Sequence, residues 1–133
     1  MADLGSALVR RLQDDPAVAA LVRAKIHWVI VPQTADLPFV RMQVISDPRP
    51  QDLDGYVSAR ETRVQIDCFA ASHAVSQKIA ETIIDATAEP NTVAGVVFGR
   101  VAAEGPRDLG EDVPGKGFIH RASLDLLVWH RLA

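Results

Sequence analysis

Apolar positions along the chain recur at helical spacing, then alternate, then return to helical spacing, then alternate again. Leu4, Leu8 and Leu12 fall at i, i+4 and i+8, the stripe of one helix face, with Asp3 placed to cap it. Asp15 followed by Pro16 marks a second helix start, and Val18, Leu21 and Val22 continue an apolar face. Ile26 to Val31 is β-branched and aromatic and reads as a strand ended by Pro32. From Phe39 to Ile45, Val40, Met42 and Val44 point one way while Arg41 and Gln43 point the other. Ser46 to Gly55 holds two prolines and three aspartates and reads as a loop or hairpin tip.

Ser58 to Ala70 alternates again, with Val64, Ile66 and Cys68 inward and Glu61, Arg63, Gln65 and Asp67 outward. Ser72 caps a helix whose stripe is Val75, Ile79, Ile83 and Ala86, flanked by Ala80 and Ile84, and Pro90 stops it. Val93 to Ala103 reads as a strand softened by Gly95 and Gly99. Glu104 to Gly117, with four glycines and two prolines, reads as a long mobile loop. The last strand runs from Ile119 to Leu132, with Ala122, Leu124, Leu126 and Val128 on one face and Arg121, Ser123 and Asp125 on the other. The order α(α)βββαββ predicts a single two-layer α+β domain over residues 1–133: a mainly antiparallel sheet of four to five strands, with helices packed on one face. Three strands without a crossover helix disfavour a parallel doubly wound fold.

Composition changes this picture little. With 133 residues, 48% hydrophobic and 23% charged, the chain is ordinary globular material. Fourteen basic against seventeen acidic residues leave a formal charge of −3, which disfavours a face that grips nucleic acid. One cysteine excludes an internal disulfide framework or a multi-cysteine zinc site. No run is long and apolar enough for a membrane span, and the start of the chain carries no signal-peptide pattern, so folding in a cytoplasm is expected.

Candidate chemistry is sparse. His27, His73, His120 and His130 are dispersed, without metal-ligand spacing. Cys68 continues the Val64–Ile66 face and reads as a small buried hydrophobe. The glycines of Gly95 to Gly99 and Gly115-Lys116-Gly117 do not form a phosphate loop, and neither G-x-S-x-G nor H-E-x-x-H occurs. No catalytic residue, metal site or cofactor is expected.

The outward sheet face is the distinctive feature. Arg41, Arg63 and Arg121 balance Glu61, Asp67 and Asp125 there. Leu127 and Trp129 share the parity of Arg121 and Asp125 and project from the same polar face, unless a bulge flips the register and buries them. The face is either a solvated surface or one that lies against another subunit or lines a channel. Gln43 completes that set of candidates. Two acidic segments stand out as candidate docking loops. Residues 47–54 set Asp47, Asp52 and Asp54 against Arg49. Residues 104–116 set Glu104, Asp108, Glu111 and Asp112 against Arg107 and Lys116.

In these features the chain resembles the tail terminator (tail completion, or head–tail joining) proteins of long-tailed bacteriophages, prophages and gene transfer agents, a family once known only as a domain of unknown function. The stretches that carry the resemblance are Leu4 to Leu12 and Ala17 to Val22 leading into Lys25-Ile26-His27, then Val31-Pro32-Gln33 with Leu37-Pro38-Phe39-Val40, then Arg63 to Phe69 running through Ala70 into the helix Ala74 to Ala86. Gly99-Arg100, Asp108 and the stretch from Phe118 to Trp129 also fit. The resemblance implies a virion protein of the tail or neck, made in a bacterial cytoplasm, whose copies form a ring, usually a hexamer. The ring would cap the finished tail tube, end its polymerisation and join the head connector. DNA would pass through without specific binding, with no cofactor, no membrane and no catalytic site. Other readings are a different neck or minor tail protein, or a cytoplasmic α+β binding domain or small enzyme.

Overall fold

A computed structural model describes residues 2–133. Helices α1 (Leu4–Asp14) and α2 (Pro16–Val22) meet at Asp15, which ends one and caps the other. Asp15 Oδ1 accepts the Ala17 and Val18 amides at 2.9 and 3.1 Å, and Asp3 accepts the Ser6 amide at 2.8 Å, so both helix starts are satisfied as expected. Strand β1 (Ile26–Trp28) is shorter than the predicted 26–31. Val29 lies at φ 62, a left-handed conformation that ends the strand and leaves Val29 and Ile30 exposed. Strands β2 (Phe39–Ser46) and β5 (Arg60–Ala70) flank a small hairpin, β3 (Gln51–Asp52) and β4 (Gly55–Tyr56). Helix α3 (His73–Thr87) follows, then β6 (Asn91–Val93), β7 (Val96–Val113) and β8 (Gly117–Leu132).

The main sheet has six strands in the order β1-β2-β5-β8-β7-β6, with β3 and β4 forming a separate two-stranded ladder. It is mixed: β1 pairs with β2 in parallel, Ile26 opposite Val40, while the other pairings are antiparallel. The α+β expectation holds, with more strands than the four to five predicted. The 32–38 connection, which reads as a simple break, carries the chain back so that β1 and β2 run the same way.

The helices cover one sheet face. Val40, Met42, Val64, Ile66, Cys68, Ala122, Leu124, Leu126 and Val128 are buried against Leu8, Leu12, Val18, Val22, Ile79 and Ile83. The α3 stripe is rotated from the predicted one: Ser76, Ile79, Ala80, Ile83 and Thr87 are buried, and Val75 is exposed. The Ser76 and Thr87 hydroxyls are satisfied by backbone carbonyls within the helix, so polar residues enter the stripe at little cost. Val44, predicted inward, is half exposed beside the β2 bulge at Val44/Ser46.

The largest departure is at residues 104–117. They do not form a loop. They extend β7 against β8 in one long hairpin, Asp112 opposite Phe118, closed by a turn that includes Gly115. The register shift at Glu104/Arg107 absorbs Gly105 and Pro106, Gly110 pairs with His120 within the ladder, and Pro114, Gly115 and Gly117 lie at the closing turn. Gly105 occupies φ +99 in that shift, and a Cβ there would lie 3.1 Å from the Ser123 carbonyl. The predicted Val93–Ala103 strand is likewise split at Ala94-Gly95, both at positive φ, which turns β6 into β7 as a tight hairpin. No helix among the described residues is long and apolar enough to cross a membrane.

Candidate functional site: the outer sheet face

The sheet surface away from the helices gathers every residue assigned to it from alternation. Cross-strand partners share a face, and the register places Arg41 beside Asp67, Gln43 beside Gln65, Gln65 beside Asp125, Arg63 beside Leu127, and Glu61 beside Trp129. No bulge interrupts β8 between Ala122 and His130 where it pairs with β5, so Leu127 and Trp129 stay on this face, and Trp129 is 49% exposed.

The charges here form two connected groups. In the first, the Asp67 carboxylate is fully buried. Arg41 Nη2 donates to its Oδ2 at 3.1 Å, and Arg121 Nε lies 3.0 Å from Oδ1 as an ion pair. The Gln65 amide reaches the same carboxylate at 3.2 Å, and the Ser123 hydroxyl donates to it. Burial alone would raise the Asp67 pKa. The bonds from Ser123, Arg121 and Arg41 outweigh it and hold the carboxyl below the ordinary 3.8. In the second group, Arg63 Nη1 bridges Asp125 at 2.8 Å and Glu104 at 3.0 Å, and Arg107 reaches Asp125 at 3.4 Å. Alternation placed Ser123 on this face with the acids and bases, but not Glu104 and Arg107, which come into reach only because β7 continues past residue 103.

Beside Asp67 the face hollows. Phe69 stacks on Phe39 with ring centroids 4.9 Å apart, and the guanidiniums of Arg41 and Arg121 sit 5.4 and 5.7 Å from the Phe69 ring. Val31, Leu109, Gly110, Glu111 and Ile119 complete a groove of about 420 Å³. Phe69 has the parity of Asp67, so the outward alternation that marked Asp67 also pointed to it.

The acidic candidates separate. Asp47 is pinned at the root of the β3–β4 hairpin by Arg49, Arg60 and Thr62, at 2.9, 2.9 and 2.8 Å. Burial opposes its ionisation, and the Thr62 and Arg60 bonds still lower its pKa. The Thr62 hydroxyl also lies 2.8 Å from His130 Nε2. Its single proton goes to Asp47, so His130 donates to it. Asp108 is likewise engaged, with His73 at 3.0 Å and Gln77, tying β7 to the start of α3. Asp52, Asp54, Glu111 and Asp112 stay exposed, the first pair on the β3–β4 tip and the second on the β7–β8 hairpin. Asp108, Glu111 and Asp112 therefore sit on a strand and not, as expected, on a mobile loop.

No group of three or more His, Cys, Asp or Glu among the described residues is arranged to hold a metal. Burial pushes the Cys68 thiol well above its ordinary range, as suits a packing residue.

A search of the curated proteins finds no match. Among solved structures, a chain described as the virion of a native gene transfer agent particle matches with a TM-score of 0.64 at 17% identity, covering 97% of this chain and 93% of that chain. At that identity the likeness is one of fold. The model of the family described as tail completion protein gp17 matches residues 6–130. With nearly the whole sequence inside that match, the chain belongs to the tail completion protein family, structural proteins of the phage tail in the virion.

Proposed function

We propose that the protein is a ring-forming tail terminator. Six copies close a ring on the end of the tail tube, halt its polymerisation and join it to the head connector, and DNA passes through the hole. Its partners are further copies of itself, the major tail tube protein and a connector or neck protein, and its role is structural and not enzymatic. Residues 1–133 act as one folding unit. The observation that carries this reading beyond family membership is the outer sheet face, where Trp129 stands half exposed beside Leu127 in a charged surface. Aromatic residues ringed by polar ones are enriched at the centres of protein contacts. The overall charge of −3 favours a lumen that repels passing DNA.

Negative-stain images of the purified protein, alone and mixed with tail tubes, test the reading. Rings, free or seated on tube ends, are expected, and monomers under both conditions overturn it. Trp129→Ala is expected to weaken association by about tenfold or more, with little change in the monomer's unfolding midpoint. Equal loss of assembly and stability would make Trp129 a packing residue instead.

A further inference from the structure

Two features of this chain fit each other and cannot meet within one copy. The first is the tip of the β3–β4 hairpin, Asp52-Leu53-Asp54. Gly55 turns the chain at φ +119, the Asp54 amide is held by Asp52 Oδ1 at 2.8 Å, and Leu53 is thrown outward with its surface wholly exposed, at 105%. A leucine fixed at the apex of an ordered turn between two carboxylates is a costly thing to leave in water. The second is the Phe69 groove: an apolar floor and walls from Phe39, Phe69, Val31, Leu109 and Ile119, flanked by Arg41 and Arg121. Both guanidiniums are partly exposed, 31% and 28% by side chain, so each offers N–H groups at the rim after serving Asp67. One apolar side chain between two carboxylates thus matches one apolar hollow between two guanidiniums.

The groove lies where β2 begins, at Phe39, and the hairpin leaves where β2 ends, at Ser46. Seven rises of about 3.3 Å separate these two ends of the strand by roughly 23 Å, so the tip reaches a groove only on another molecule. A contact between unlike surfaces is head-to-tail, and repetition closes it into a ring when the rotation allows. We propose that the Leu53 tip of one copy inserts into the Phe69 groove of a second copy, with Asp52 and Asp54 pairing with Arg41 and Arg121. This rests on the self-association proposed above and names the contact that makes it. Glu111 is the one carboxylate of the groove wall that opposes the incoming tip.

Association is measured by light scattering, with and without tail tubes, for the wild type, Leu53→Asp, Leu109→Arg and Glu111→Gln. All three substitutions fall at exposed or rim positions, and circular dichroism checks that each variant folds. The first two are expected to raise the concentration needed for association by about tenfold or more, and Glu111→Gln to lower it. In a second arm, Leu53→Cys copies are mixed with Leu109→Cys copies under oxidised glutathione. Cys68 is buried and stays out of the reaction. At equal concentrations, mixed disulfide dimers in excess of the 1:2:1 distribution that random pairing gives are expected. If the wild type associates and Leu53→Asp and Leu109→Arg do so equally well, or if no excess of mixed dimer forms, this contact is overturned and the ring reading stands. If the wild type never associates, the ring reading falls and the contact falls with it.

Discussion

Asp67 is a carboxylate with no exposed surface, placed between two arginines on a sheet face that alternation alone would assign to solvent. Removing its charge leaves Arg41 and Arg121 crowded without their counter-ion. Asp67→Asn is therefore expected to cost about 3 kcal/mol or more in urea unfolding, where an exposed ion pair would cost under about 1. Because the folded pKa lies below 3.8, its contribution is present above that pH and is lost as pH falls through the folded value. His130 produces a second pH effect at higher pH. Burial first, then Arg60 and Arg49, lower its pKa from 6.5 against the pull of Asp47. The unfolded chain then binds more protons than the folded one, so stability is full above about 6.5 and declines as pH falls from there through the folded value. Melting temperatures between pH 8 and 5 should show this decline, and His130→Gln should flatten it. Alternation set the direction of Asp67, Arg41 and Arg121 correctly. It carried no information on what covers them, because a two-residue period fixes a face and not its neighbours: the shielding of Asp67 comes from β2 and β8, both distant in sequence.

At the level of elements, the β7–β8 hairpin is where composition misleads. Glycine and proline usually punctuate loops, yet here Gly105 and Pro106 sit at a register shift inside a strand and Gly110 pairs within the ladder. Gly105→Ala is expected to destabilise the protein by about 1–3 kcal/mol, since the position needs φ +99 and the methyl group would crowd the Ser123 carbonyl. Thermal unfolding checks the loss, and hydrogen exchange should localise increased opening to 107–123. A flexible loop there would leave both unchanged. The helices were legible because caps and apolar stripes are local signals: Asp3, Asp15-Pro16 and Ser72 all mark true starts. The parallel β1–β2 pair and the Ala94-Gly95 turn were not, since the first depends on where the 32–38 connection leads and the second uses an alanine at positive φ.

For the whole molecule, the sheet ends on short edges, three residues each in β1 and β6, which limits open-ended strand addition and leaves assembly to faces and tips. Were residues 1–133 one folding unit, urea unfolding followed by tryptophan fluorescence and by far-UV circular dichroism would give coincident transitions, Trp28 and Trp129 reporting from opposite regions of the sheet. Two separated transitions would divide it. The strand order carries a kinetic consequence as well. The central ladder joins β5 to β8, with Ile66 opposite Leu124 and Thr62 opposite Val128, positions in different halves of the chain. Local contacts cannot nucleate that ladder, so the closure entropy of a long intervening segment must be met first, and refolding belongs in the millisecond-to-second range of non-local β topologies. On the ribosome, β5 is left without its β8 neighbour until the last strand emerges. The main sheet therefore completes only once β8 has been made, and the arginine-flanked groove that needs both β5 and β8 is absent until then.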